Sequence, residues 1–383
     1  MTVSTLQVER EHMAALEAQI ADLERRLAIL RDEKALVQDI LDAYKYPVLE
    51  LPNEIVSEIF IHFVPPYPSR PPNRGTLSPT LLTQICARWR RIALSTTQLW
   101  RAVHIAFWDD DVDLHPQIQL ADTWFSRAGL CPLSLEISGR SDLSIPREEI
   151  SDLAVEQARW EYLKINVSDL DTVFGLVGPM PRLRHIDVDV SRSSEIVSLE
   201  QVPLLCSAVL SGFAPSYIVL PWNQLTSLAL KRVFPNECPH VLQLTTNLTH
   251  CEIAMLLGDS NTTLPEIHLP QLQSLAVKAM EEHYEHPFIR SLVTPALRRL
   301  EVSEVQLGTT TIETLQSLFS KSQCNLEELH IIDAAPLVTQ LQYSLAFPSI
   351  ATISVSIRPE DTSESSLKRS MYGESTDCIH DSI

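Results

Sequence analysis

Apolar residues follow a seven-residue rhythm over the first part of the chain, from Leu6 to Tyr44. The segment has no glycine or proline and is rich in alanine, leucine, glutamate and arginine, which all favour helices. Apolar positions that recur about every 3.5 residues are typical of coiled coils. We therefore predict a coiled-coil helix over residues 1–45 that binds a partner through residues 6–44. The two core positions hold Leu6, Met13, Ile20, Leu27, Lys34 and Leu41, and Glu9, Leu16, Leu23, Leu30, Val37 and Tyr44.

The partner of this helix is not determined by the pattern. A single amphipathic helix folded back on the body of the protein is the alternative to pairing. Lys34 at a core position would tune register or partner number at some cost in stability. In a parallel homodimer Arg26 would face Arg31 of the second chain, which is unfavourable, so antiparallel and heteromeric pairing both stay open.

A second apolar helix is predicted shortly after the first. Pro47 ends the first helix, because a proline ring clashes with the preceding turn. Pro52 suits the first turn of a new helix, where its missing N–H is not needed. The apolar stripe of this helix is formed by Ile55, Ile59, Phe60 and Phe63, which recur at helical spacing.

A third helix is predicted from Leu81 to about Ser95, after a loop over residues 65–79 that contains six prolines. We expect the loop to be a plain surface insertion, with a ligand for a proline-binding domain as the alternative. Val103 and Ile105 then alternate with polar residues, as in a strand. Together these elements define a small helical module over residues 46–106. One face of its last helix carries Leu82, Ile85, Cys86, Trp89, Ile92 and Ala93.

The remaining chain, residues 107–358, repeats the short pattern L-x-x-L-x-[LIV], first at Trp160–Ile165 and last at Ile350–Val355. Successive copies are 23, 42, 23, 24, 25, 29 and 24 residues apart. This spacing is typical of a leucine-rich-repeat-like solenoid, in which each unit adds one parallel strand. An ordinary α/β domain of similar rhythm is the alternative, since the usual asparagine after each strand is absent.

The 42-residue step covers a segment without charged residues, Gln201–Leu230. It is interrupted by prolines, so we predict a buried helix followed by a strand rather than a membrane span. A degenerate repeat could also be hidden there. Strand residues between the aliphatic positions, such as His185, Asp187 and Glu252, should line a mixed, mildly charged concave face suited to a protein partner. Residues 359–383 lack periodic apolar residues and are predicted to be a disordered tail.

Composition narrows the functional classes. The 383 residues carry a formal net charge of −19, which disfavours nucleic-acid binding because that depends on Lys and Arg. No secretion signal is visible, and seven scattered cysteines without a C-x-x-C pair are typical of a reduced intracellular protein. We expect a soluble protein of the cytoplasm or nucleus that binds neither nucleic acid nor membrane.

No catalytic, cofactor-binding or metal-binding residue is predicted. Glycine-rich phosphate loops and the G-x-S-x-G elbow are absent from the sequence. Cys86 with His62 or His104 could suggest a thiol enzyme, but a core cysteine explains the pattern better. A possible metal set lacks zinc-finger spacing; its members are Cys238, His240, His250 and Cys251.

Three short runs in the helical module resemble the F-box motif: L-P-x-E-I-x-x-E-I-F, C-x-x-W-R-x-I-A and L-W. The resemblance implies a small all-α domain that binds a Skp-type adaptor and so joins a cullin–RING, SCF-type ubiquitin ligase. It departs from the family in its long proline-rich insertion. The residues that the resemblance assigns to adaptor binding are Leu51, Pro52, Ile55, Ile59, Phe60, Cys86, Trp89, Ile92, Leu99 and Trp100. The alternative is that Ile55, Ile59, Trp89 and Trp100 form the core of the module itself, and the two roles are compatible because so small a module shares its apolar residues between core and interface.

The predicted fold is thus a coiled-coil helix, an all-α F-box-like domain and an α/β leucine-rich-repeat-like solenoid with parallel strands. The predicted function is a non-enzymatic substrate receptor, which docks on the adaptor through the F-box-like helices. An unknown target protein would bind the repeat domain. The alternatives are a coiled-coil scaffold that acts outside any ubiquitin ligase and an α/β enzyme.

Overall fold

A computed structural model describes residues 3–43, 48, 50–107, 114–139, 153–169, 178–194, 196–256, 264–280, 287–334 and 339–357. The predicted tail, 359–383, lies outside these residues, as does Tyr44 at the end of the heptad pattern. Internal contacts divide the chain into two units, Met1–Ile59 and Phe60–Ile383. No described helix is both long enough and apolar enough to cross a membrane.

The first unit contains the predicted N-terminal helix, α1, from Val3 to Ala43. Its side chains from residue 7 to residue 41 are exposed except for the half-buried Asp22. Asp22 forms an ion pair of 2.9 Å with Arg26, one turn further along the helix. The long helix is therefore as predicted.

The helical module is built from three helices and a 3-10 turn. Helix α2 spans Asn53–Phe63, α3 spans Pro79–Ile85, α4 spans Ala87–Ser95, and the 3-10 turn spans Thr97–Trp100. The single helix expected from Leu81 to Ser95 is thus wrong, because Cys86 adopts an extended backbone with φ −155° and ψ 166°. Its Sγ accepts a hydrogen bond from the Trp89 N–H at 3.4 Å and so caps α4.

Eleven parallel strands form the main sheet of the described residues, and their order in the sheet is their order in the chain. Two further parallel pairs, β5 with β7 and β10 with β12, lie outside it. The strands are β1 Ala102–Phe107, β2 Leu133–Gly139, β3 Trp160–Asp169, β4 His185–Arg192, β5 Val197–Ser198, β6 Ser207–Gly212, β7 Ile218–Val219, β8 Ser227–Val233, β9 His250–Met255, β10 Ile267–His268, β11 Ser274–Ala279, β12 Leu292–Val293, β13 Arg299–Ser303, β14 Glu328–Ala334 and β15 Thr352–Ile357.

The repeated pattern sets the register of this sheet. The second aliphatic position of each copy pairs with that of the next, as Leu163 does with Ile186 and Leu275 with Leu300. Strand β6 occupies the 42-residue step and pairs Ala208 with Leu228, so an additional parallel strand is present there. Within Gln201–Leu230 the structure has β6, a four-residue helix with buried Ala214 and Pro215, β7 and the first part of β8, so the predicted buried helix followed by a strand is present only in part.

Helices cover the sheet at both ends. Helix α5 (His115–Arg127) packs along β1 and buries Trp124 and Phe125. The other helices of this unit are α6 Ala214–Tyr217, α7 Cys238–Leu242, α8 Thr311–Ser322 and α9 Gln340–Ala346, and α9 packs along β15. Strand burial alternates with period two over most of the sheet, so one sheet face belongs to the core. We call the other the open face.

Candidate functional site

Helix α2 exposes an apolar pair at the start of the F-box-like segment. The Val56 N–H donates to the Pro52 carbonyl at 3.1 Å, so the helix starts at the leucine–proline step as expected. Ile55 and Ile59, one turn apart, are 49% and 45% exposed, whereas Val56 is buried. Of the two residues before the helix, Leu51 is half-buried and Pro52 exposed. The α2 residues predicted to bind an adaptor and lying before residue 60 are therefore accessible.

Four other predicted adaptor-binding residues are not accessible. Phe60 is buried, and its ring lies 5.0 Å from that of Trp89 in an edge-on arrangement. The Trp100 indole N–H donates to the Ala93 carbonyl at 2.8 Å, and its ring lies 5.4 Å from that of Trp124. Their side chains belong to the core of this structure, and their contact with an adaptor stays a prediction. The four buried residues are Phe60, Ile92, Leu99 and Trp100.

Four exposed apolar residues of the module were not assigned to adaptor binding: Val48, Leu77, Ile85 and Leu94. Ile85, the last residue of α3, is 55% exposed, and Leu94 on α4 is 38% exposed. Cys86 and Trp89, which the resemblance does assign, are half-buried. Helical periodicity over a continuous helix placed Ile85 on the inner face. The break at Cys86 shifts the phase of α3 relative to α4, and no sequence signal other than the Cys86 cap marks that break.

The proline-rich loop is anchored, contrary to the expectation of a plain surface insertion. Tyr67 Oη donates to Glu161 Oε2 at 3.1 Å, and its ring lies 5.3 Å from that of Tyr162 on β3. The Arg101 guanidinium lies 3.8 Å from the centre of the Tyr67 ring. Burial, followed by the Glu161 carboxylate, raises the pKa of Tyr67. Many loop residues are exposed, but this tyrosine holds the loop against the sheet.

A charged cluster joins the loop to the open face. Arg70 Nε lies 2.7 Å from Glu136 Oε2, and Lys164 Nζ lies 3.2 Å from Glu136 Oε1. Burial alone would raise the pKa of Glu136, but Lys164 and Arg70 outweigh it and lower that pKa. The Glu136 carboxylate is thus paired with two cations. The cluster fixes the loop to β2 and β3, since both cations contact the same side chain.

Two histidines and an aspartate flank this cluster. Burial, together with Arg70, lowers the pKa of His104 to about 4, and burial lowers the pKa of His185 as well. His104 Nε2 lies 2.5 Å from Ser138 Oγ, and His185 Nδ1 lies 3.0 Å from Ser207 Oγ. Burial raises the pKa of Asp187. The pKa values of these three residues near the loop therefore differ from those of solvated side chains.

Loop and strands enclose a cavity of about 560 Å³ on the open face. Perturbed titratable groups in a concave site are a general marker of function. Beyond the cavity the row that contains Asp187 continues along the open face through Val209, Ala229, Glu252 and Ala276, so small and acidic residues share this row. The cavity is lined by Pro68, Ser69, Arg70, Pro72, Ser134, Glu136, Tyr162, Leu163, Lys164, His185 and Asp187.

The described residues offer little machinery for chemistry. No group of three or more His, Cys, Asp or Glu side chains among them is arranged to hold a metal ion. Burial raises the pKa of the Cys238 thiol to about 12, and burial raises that of Cys251 too. A thiol with a raised pKa is a poor nucleophile, because the thiolate is the reactive form. These two cysteines are therefore core residues.

Comparison with known proteins adds no further constraint. No protein-family model matches the chain, and no curated protein matches it.

Proposed function

We propose that this chain is the substrate-recognition subunit of an SCF-type, cullin–RING ubiquitin ligase that docks on a Skp-type adaptor. The observation that carries the proposal is that α2 has one buried and one exposed apolar side. Its F-box-like sequence buries Val56 and Phe60 and leaves Ile55 and Ile59 exposed one turn apart. An exposed aliphatic pair can anchor a helix in an apolar groove, and the F-box-like sequence around Ile55 and Ile59 distinguishes this pair from Leu341 and Leu345, which are exposed on another helix. Ile55 and Ile59 are thus the proposed anchors in an adaptor groove.

The proposed mechanism is proximity. The chain holds its target close to a ubiquitin-conjugating enzyme, which raises the effective concentration of the reacting groups without a catalytic residue of its own. The function places the protein in the cytoplasm or nucleus.

The proposed target-binding part is a leucine-rich-repeat-like solenoid. Its support is the agreement of strand order with chain order, the parallel pairing of all eleven strands and the regular register of the repeats. Neighbouring strands pair over separations such as 22 residues from His185 to Ser207 and 25 from Ser274 to Arg299, as expected for stacked units. The open face is then a continuous surface for a partner.

We place the target contact at the loop-covered cavity. Asp187 is half-buried there and forms no ion pair with any described side chain; burial raises its pKa, and the nearby charge of Lys164 offsets only part of that rise. The Tyr162 ring, half-buried on the adjacent strand, lines the same cavity. A carboxylate and an aromatic ring together favour a basic side chain of the target, through an ion pair and a cation–π contact.

The adaptor part of the proposal is tested by copurification. Ile55→Asp plus Ile59→Asp should abolish capture of the Skp-type adaptor, because two charges would enter an apolar groove. The matched control is Leu341→Asp plus Leu345→Asp. These residues are 68% and 73% exposed and also lie one turn apart on a helix. Capture by the wild type and loss only in the α2 variant support the proposal. Equal capture of the adaptor by both variants would contradict the proposal.

A coiled-coil scaffold outside any ligase is the second candidate function. It is favoured by α1, whose side chains are exposed over most of its length. A stable oligomer that fails to bind the adaptor, with the α2 surface intact, would select this candidate over the first.

A further inference from the structure

Helix α1 carries a row of exposed apolar side chains that has to be covered for the helix to be stable in water. Eight of its core-position residues are between 42% and 62% exposed. Long single helices in proteins gain most of their stability from packing of an apolar face rather than from helix propensity. The eight residues are Met13, Leu16, Ile20, Leu23, Leu27, Leu30, Val37 and Leu41.

We infer that α1 pairs with α1 of a second copy of this chain as an antiparallel coiled coil, with Leu27 facing Leu30 of the second copy. The inference is independent of adaptor binding. It commits to a homodimer because the flanking charges of this one helix complement themselves in one arrangement.

Parallel pairing is opposed by charge. In a parallel dimer the positions that flank the core meet with an offset of five residues, which places Arg26 beside Arg31 of the second copy. The contact occurs twice, once on each side of the dimer. The other flanking contacts between residues 12 and 38 involve glutamine or histidine and do not compensate fully.

Between residues 17 and 40, antiparallel pairing in the inferred register has only favourable charge contacts; outside this range Arg10 would face Lys45 of the second copy. Glu24 meets Arg31 of the second copy and Arg26 meets Glu33 of the second copy, and symmetry doubles both. Shifting the register by one heptad removes these favourable charge contacts. With Leu27 facing Leu23, Glu24 meets Glu24 of the second copy, and the opposite shift brings Arg31 against Arg31 of the second copy.

Between residues 16 and 41 the core of the inferred pair is apolar in three of its four distinct layers, and Met13 faces Tyr44 in a fifth. Ile20 faces Val37 and Leu16 faces Leu41 of the second copy, beside the central leucine pair. The remaining layer sets Lys34 against Leu23, and the long lysine stem can pack there while its ammonium reaches water. Four exposed apolar residues of α1 lie outside this seam: Val8, Ile29, Leu36 and Ile40.

Sedimentation of the full chain with Arg31→Glu distinguishes antiparallel from parallel pairing, because the two arrangements predict opposite changes in the dimer dissociation constant. The antiparallel pair would gain two Glu–Glu contacts with Glu24, so the dimer dissociation constant should rise about tenfold. A parallel pair would instead gain two Glu–Arg contacts with Arg26 and tighten. Arg25→Glu, which makes the same charge change at a position facing away from the seam, is the control and should leave the constant unchanged.

A charge swap and a cross-link complete the test. Arg31→Glu plus Glu24→Arg should restore the wild-type constant, since the pair is re-formed with reversed signs. Leu16→Cys plus Leu41→Cys should cross-link two copies on oxidation, whereas Leu16→Cys alone should not exceed the background of the native cysteines. A wild type that sediments as a monomer or above dimer mass overturns the inference. So does tighter or unchanged association of Arg31→Glu.

Discussion

The two candidate surfaces of this chain have opposite chemistry. The α2 surface presents two aliphatic side chains, Ile55 and Ile59, and no ion pair among the described residues involves the neighbouring Glu54 and Glu58. The loop-covered cavity is lined by charged and aromatic groups, with Glu136 shared between Arg70 and Lys164. An apolar surface gains affinity from burial and is insensitive to pH and salt, whereas a charged, half-buried one gains selectivity and responds to both.

This difference suits the two proposed roles. A common adaptor is bound by every receptor of its class, so its docking surface can be simple and apolar. A target has to be distinguished from other proteins, and unpaired polar groups in a cavity penalise the wrong partner. The comparison is sharpened by variants that disturb one surface and leave the other intact.

The largest effect on stability is expected at Phe60, on the buried side of α2. Phe60→Ala should lower the free energy of unfolding by about 3–5 kcal/mol, because a buried ring that packs on Trp89 leaves a cavity. Ile55→Ala, one turn earlier but exposed, should cost less than about 1 kcal/mol. Urea unfolding of both variants measures the difference, and equal losses would mean that the two sides of α2 are not distinct.

A smaller effect is expected at the loop. Tyr67→Ala should cost about 2 kcal/mol, since it removes the ring contact with Tyr162 and the stacking of Arg101. It should also make the loop sensitive to limited proteolysis. Tyr67→Phe retains the ring and should lose about 1 kcal/mol or less. Unchanged proteolysis of the alanine variant would show that Tyr67 does not anchor the loop.

The smallest effect is a pH dependence confined to the charged surface. The folded-state pKa of His104 is about 4, below its ordinary 6.5, so the unfolded chain binds more protons between these values. Stability is therefore full above pH 6.5 and is lost as the pH falls towards 4. After allowance for solvent screening, we expect a loss on the order of 1 kcal/mol between pH 7 and pH 5. Thermal unfolding of the wild type and His104→Gln checks this, since the variant should show a weaker dependence.

The sequence predicted the elements whose pattern is long and regular. The heptads of α1 and the L-x-x-L-x-[LIV] repeats each recur often enough to define helix and parallel strands. The doubled spacing before Leu225 also indicated the additional strand β6. These features follow from local periodicity, which a sequence records directly.

The misses have tertiary causes. Phe60 and Trp100 carry the same apolar signature whether they face a core or a partner, so composition could not separate the two. The break at Cys86 depends on one residue in an extended conformation. The anchoring of the loop depends on partners 66 and 94 residues away, Glu136 for Arg70 and Glu161 for Tyr67. No local pattern encodes contacts at such separations.

The central claim is that the exposed side of α2 binds a Skp-type adaptor, and calorimetric titration of the full chain with the purified adaptor tests it most directly. The account predicts saturable one-to-one binding, weakened at least about tenfold by Ile55→Asp plus Ile59→Asp and unchanged by Leu341→Asp plus Leu345→Asp. It also predicts the same affinity at pH 7 and pH 6, because no titrating group is part of the apolar anchors. Absence of binding by the wild type, or equal affinity of all three proteins, would contradict the account.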